Sequence, residues 1–113
     1  YNQGTMLGAC VNLYRITGKE KYKAYADKVW NWTYNSLCSN NAANQHIVNA
    51  CQTAVGDLSG FKGILMRYCR LYAEEMDHEE VLQWMEDNAW FARQNANSKG
   101  IVWSKWLTRC KGQ

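Results

Sequence analysis

The stretch Met6-Leu7-Gly8-Ala9-Cys10-Val11-Asn12-Leu13-Tyr14-Arg15-Ile16-Thr17-Gly18-Lys19 decides the fold. Met6, Leu7, Cys10, Leu13 and Tyr14 recur at the i, i+3, i+4, i+7 spacing of one helical face, and Gly18 stands where a left-handed stop fits. A helix is predicted from about Gly4 to Thr17. Past the glycine, Tyr22, Tyr25, Ala26, Val29, Trp30, Thr33 and Leu37 repeat the pattern, with Lys21, Lys23, Asp27 and Lys28 mainly on the other side. That is a second helix, from about Lys19 to Leu37. A connection this short folds the two back as an antiparallel hairpin.

From residue 38 to residue 60 the period breaks at Ser39-Asn40-Asn41, at Asn44 and between Gly56 and Gly60. A loop of about 22 residues is predicted, longer than most connections within compact domains and therefore a candidate for function. A third helix begins near Phe61, with Phe61, Leu65, Tyr68, Tyr72 and Met76 on one side. Asp77 is a natural N-cap for a fourth, and Glu80 three residues later completes a capping box. Val81, Trp84, Met85, Trp90, Phe91 and Ala92 then supply apolar surface as far as about Asn95. The hairpins repeat weakly at an offset of 58, pairing Leu7 with Leu65, Leu13 with Leu71 and Tyr14 with Tyr72. An all-α fold of antiparallel helical hairpins follows. Hairpin stacks bury their cores between neighbours, so two units and a tail leave open apolar faces, and residues 1–113 read as one segment of something larger.

Composition bounds the rest. The 113 residues are 47% apolar and lack proline, which suits one globular domain at most and excludes a disordered or collagenous chain. The longest apolar runs, such as Ile64-Leu65-Met66, fall far short of the roughly 20 residues a membrane span needs, so none is expected. The net charge of +3 divides unevenly: eight basic and three acidic side chains in residues 1–73, one and seven in 74–98, four and none thereafter. A basic excess spread around an acidic patch, with no cluster interleaved with aromatics, argues against a nucleic-acid partner. Cys10, Cys38, Cys51, Cys69 and Cys110 match no zinc or CxxC spacing, and neither a metal nor another cofactor is expected. Cys10 and Cys69 fall on apolar faces as small buried hydrophobes, while Cys38 and Cys51 bracket the long loop and could bridge in an oxidising compartment. The chain opens at Tyr1 with no charged or apolar leader before it, as a processed or excerpted sequence does.

Two segments depart from plain amphipathic helix: Tyr1-Asn2-Gln3-Gly4 before the first helix, and Asp57-Leu58-Ser59-Gly60-Phe61-Lys62-Gly63 before the third. They occupy the same point of successive hairpins. With Leu13-Tyr14-Arg15-Ile16-Thr17-Gly18 and Ile64-Leu65-Met66-Arg67-Tyr68, they resemble the C-terminal part of glycoside hydrolase family 76, the endo-α-1,6-mannanases, from Tyr1 to about Arg93. The resemblance implies an (α/α)6 toroid, of which this chain can supply about a third, since twelve helices with connections need roughly 200 residues or more. It also implies an adjacent aspartate pair acting as nucleophile and acid/base in a retaining hydrolysis. No Asp-Asp occurs here, which places that pair in a missing N-terminal part of the same domain. Glu74-Glu75 and Glu79-Glu80 flank a hairpin turn and a helix start, where carboxylates stay solvated.

On that reading these residues are walls of sugar subsites. Asn2 and Gln3 each offer a donor and an acceptor to sugar hydroxyls, and Tyr1 and Phe61 offer flat rings to the C–H face of a pyranose. Asp57 and Lys62 would add charge-assisted hydrogen bonds. Each has a plainer reading beside it: Asn2 an N-cap, Phe61 a staple onto the next turn, Asp57 and Lys62 an exposed ion pair worth under about 1 kcal/mol. His46 and His78 lack metal-like partners at helical spacing, and Arg67 packs or pairs inside rather than binding sugar. Trp30, Trp84 and Trp90 are expected in the core. Trp103 and Trp106 either cap the ring or line an outer subsite, and Asn31-Trp32-Thr33 matches a glycosylation sequon in mid-helix.

The expected partner is an α-mannan or a mannooligosaccharide, and the expected setting is secreted, periplasmic or cell-surface. The alternatives are a non-catalytic glycan-binding module, a small helical-bundle interaction protein, and another (α/α)6 activity such as an epimerase or a transglycosidase.

Overall fold

The computed structural model describes residues 1–41, 43, 45–52 and 55–111. Asn44, one of the predicted loop breaks, lies outside them. The elements run α1 (Asn2–Thr17), α2 (Glu20–Ser36), β1 (Cys38–Asn40), β2 (His46–Val48), a 3-10 turn (Gly56–Ser59), α3 (Phe61–Glu75) and α4 (Glu79–Gln94). The fold is mainly helical, as expected, and no described helix is long and apolar enough to cross a membrane.

Gly18 is left-handed at φ 67° and its N–H bonds Tyr14 O at 2.7 Å, so α1 stops where the sequence said and α2 returns antiparallel. The buried face of α1 is rotated from the predicted one. Leu7, Cys10 and Val11 are buried together with Gly4 and Gly8, whereas Met6 and Leu13 are exposed and Ile16 is 81% exposed. Two glycines four residues apart explain the rotation. A Cβ on Gly4 would lie 2.8 Å from Leu65 Cα, and one on Gly8 2.4 Å from the Tyr68 ring, so α1 presents its bare backbone to α3.

That seam runs parallel. The rings of Tyr1 and Phe61 lie 4.3 Å apart at one end, and Arg15 reaches Glu75 at 3.7 Å at the other. The N-termini of α1 and α3 therefore share one end of the molecule. α2 packs on α1 and α4 on α3, and Leu7, Val11, Trp30, Leu65, Tyr72, Val81 and Trp84 meet in a common core.

Several expectations are corrected. The long loop contains an antiparallel β-hairpin, pairing Cys38 with Val48, Ser39 with Ile47 and Asn40 with His46. It docks on α4 through Asn88, whose Oδ1 accepts from Val48 N at 2.9 Å, and through the Trp84 indole N–H, which donates to His46 O at 2.6 Å. Asp77 is no N-cap: it takes the left-handed φ of 56°, and His78 is the cap residue, its N–H bonded to Ala73 O. Glu80 accordingly faces the His78 ring, with Oε1 2.8 Å from Nδ1, instead of reaching back to a capped backbone. Trp90 is exposed and so is Arg67, because both project from the sides of their helices that face away from the core. All five cysteines are free thiols, Cys38 and Cys51 included, while Cys10 and Cys69 are buried as expected. His46 belongs to β2, stacked on Tyr34 at 3.8 Å between ring centroids.

Candidate functional site

Both motifs sit at the shared end of α1 and α3, for a local reason. Gly60 caps α3 and closes the preceding turn by donating to Asp57 O at 3.0 Å, so Phe61 and Lys62 begin their helix level with Tyr1. Tyr1 caps α1, its carbonyl accepting from Thr5 N at 2.9 Å. Asn2 is consequently the first helical residue, not the cap, and no side-chain capping bond is spent on it. Its amide is left to face outward.

Between these ends lies a cleft of about 240 Å³ lined by Tyr1, Asn2, Gln3, Phe61 and Lys62, together with Val48, Cys51, Leu58 and Leu65. Five of the six residues singled out in the sequence are thus brought together. Asp57 is not: it is exposed on the 3-10 turn, and Leu58 takes the place at the wall. Nor does Asp57 pair with Lys62 among the described residues. Lys62 is only 5% exposed and donates from Nζ to Ser104 O, with the Trp106 ring centroid 5.2 Å away. Burial lowers its pKa to about 8, partly opposed by the neighbouring Cys51. The Phe61 ring meets Tyr1 across the seam.

Asn2 and Gln3 also line a second cleft of about 350 Å³ on the flank of α1 and α2, with Met6, Lys28, Val29 and the half-exposed Trp32. The two amides therefore stand on the ridge between two concavities. Amide side chains at such a ridge can address hydroxyls on either side, with a ring face beneath in each case. Trp103 is 37% exposed, while Trp106 packs against the core and is tied to Asn95 Nδ2 through its carbonyl at 2.8 Å. Sequence reasoning missed the contributions of β2 and the tail. Ile47-Val48 and the Asn41 side chain, which accepts from Ala43 N and Gln45 N, were the available signals of a turn between strands. Among the described residues no group of three His, Cys, Asp or Glu side chains is arranged to hold a metal ion.

A concave, aromatic-walled cleft edged by amides at the aligned ends of parallel helices is the kind of site that takes a polyhydroxylated ligand. Residues 1–112 match the family model described as glycosyl hydrolase family 76. The chain belongs to that family of glycoside hydrolases. No individually curated protein matches it.

Proposed function

We propose that this chain is the subsite-bearing segment of a retaining hydrolase of α-1,6-mannan, with the reactive aspartate pair contributed by sequence preceding Tyr1. The observation that carries the reading is the convergence of Tyr1, Asn2, Gln3, Phe61 and Lys62 on one cleft at the common end of α1 and α3. In this reading α1 and α3 are neighbouring inner helices of an (α/α)6 ring, α2 and α4 their outer partners, and the ends of the inner helices face the funnel. The exposed Met6 and Trp32 mark the flank on which a preceding hairpin packs.

The roles follow from side-chain chemistry. Tyr1 and Phe61, tilted 42° to each other, cover the apolar face of a mannose unit. Asn2 and Gln3 fix its hydroxyls with paired donors and acceptors. Lys62 acts from behind, its ammonium already engaged by the tail, and contributes positive potential to the cleft. In a retaining reaction one carboxylate attacks the anomeric carbon while the other protonates the departing oxygen, then activates the water that hydrolyses the glycosyl-enzyme and frees the sugar. This segment orients the sugar for both steps. A polymeric substrate places the enzyme outside the cytoplasm or at the cell surface.

Proton NMR of α-1,6-mannan digestion by the intact protein tests the proposal: the α-anomer of the new reducing end is expected first. Initial release of the β-anomer would disprove retention, and an unshortened polymer would disprove the substrate. Residues 1–113 alone are expected to show no turnover.

A further inference from the structure

Residues of α2 and α4 line a groove of about 520 Å³ that the proposed function does not use. Its floor is aromatic. Trp30 and Trp84 cross edge to face with centroids 4.9 Å apart, and Tyr34 forms the end wall. This floor is fixed from behind: the Trp84 indole N–H is spent on His46 O, and Tyr34 is stacked flat on His46 at 3.8 Å. The rim is polar and comes from both helices, Asn31 from α2 and Glu80, Gln83 and Asp87 from α4.

The inventory of the rim decides what fits. Gln83 Nε2 donates to Asp87 Oδ1 at 3.1 Å and Glu80 Oε1 meets the His78 ring, so each carboxylate keeps one oxygen clear of those contacts. The Asn31 side-chain amide and the Tyr34 hydroxyl carry no hydrogen bond among the described residues, since Asn31 is engaged only through its main-chain carbonyl. Free acceptors and free donors thus face each other over an aromatic floor. Vicinal hydroxyls, each both donor and acceptor, satisfy such a set, whereas a cation would use the carboxylates and leave the amide and hydroxyl idle. Among the described residues no lysine or arginine lines the groove, so an anionic sugar is disfavoured. The volume lies in the range of small-ligand sites and exceeds what one pyranose ring requires.

We infer that the groove between α2 and α4 is a second, non-catalytic carbohydrate site for an uncharged hexopyranoside, held by Asn31, Tyr34, Gln83 and Asp87 over Trp30 and Trp84. Its place on the helices away from the cleft lets it retain a polysaccharide chain while another part of that chain is cut. The inference uses only residues on α2 and α4 and does not rest on the chemistry proposed for the cleft.

The test is a two-dimensional 1H–15N NMR titration of the protein with methyl α-D-mannopyranoside, reading the side-chain amides of Asn31 and Gln83. Saturable shifts of both are expected. The double variant Asn31→Ala/Gln83→Ala should weaken binding at the groove about tenfold, the effect of losing hydrogen bonds worth roughly 1.4 kcal/mol in sum. Its thermal midpoint should remain unchanged, both side chains being exposed. Asn2→Ala/Gln3→Ala should leave the groove shifts intact while impairing hydrolysis of a short soluble α-1,6-mannooligosaccharide by the intact protein, which separates failure of the groove from failure of the cleft. The inference is overturned if saturating sugar leaves Asn31 and Gln83 unshifted, if their neighbours' shifts persist in the double variant, or if only protonated glucosamine binds there.

Discussion

Two seams hold this chain together, and they are built in opposite ways. Between α1 and α3 the contact is bare: Gly4 and Gly8 bring the backbone of one helix against Leu65 and Tyr68 of the other, with ring contact at one end. Between β2 and α4 the contact is polar: the 1%-exposed Asn88 satisfies Val48 N and shares His46 O with Trp84. The first seam gains by close approach and dispersion, and any added atom harms it. The second depends on leaving no buried donor unmet, so any removed atom harms it.

The largest effect is expected where an orphan is created. Asn88→Ala strands the buried Val48 N–H and opens a small void, and should lower unfolding free energy in urea by about 3 kcal/mol. Gly4→Ala sharpens the contrast from the other side. Alanine gains up to about 1 kcal/mol of helix propensity, but its Cβ would sit 2.8 Å from Leu65 Cα, which is backbone and cannot swing aside. Overpacking of that kind costs about 1–3 kcal/mol, so after the propensity gain a net loss of up to about 2 kcal/mol is expected in the same assay. If Gly4→Ala proves the costlier of the two, the ranking of the seams is reversed.

Lys62 joins the first seam to the tail, and its response to pH is distinctive. The folded protein releases this proton near pH 8, whereas the unfolded chain holds it to the ordinary lysine value of 10.5. Between these values the unfolded state binds more protons, so this contribution to stability rises with pH. Buried thiols act in the opposite sense, since Cys38 is pushed up to about 11 and Cys69 to about 12. The measurement is therefore the difference between wild type and Lys62→Met across pH 7.5–10.5, a window set by those lysine values. The wild type is expected to gain relative to the variant as pH rises; a flat difference would show that Lys62 is not desolvated. Smallest of all, Arg15→Ala should change stability by less than about 0.5 kcal/mol, because the pair with Glu75 is 3.7 Å long and both side chains are more than one-third exposed.

The helices were legible because their signals are local. Gly18 ends α1 by its own conformational freedom, and the spacing of Ala26, Trp30 and Thr33 on α2 matches its buried face. The two motifs were legible as a pair, and the parallel seam explains why residues 60 apart, such as Tyr1 and Phe61, meet. The β-hairpin was not. Strands of three residues carry too little alternation to read, and their stability comes from Asn88 and Trp84, some 40 positions away.

Sequence alone determined the helical hairpins, the places where they turn and the residue types that line the cleft, because periodicity, glycine and side-chain chemistry act within a few residues. Only the tertiary structure decided which face of α1 is buried, that Asp57 stands outside the cleft, and that the Lys62 ammonium turns to Ser104 and Trp106. Those outcomes depend on how closely two backbones approach and on which distant carbonyl meets a buried charge, and neither quantity exists until the helices have packed.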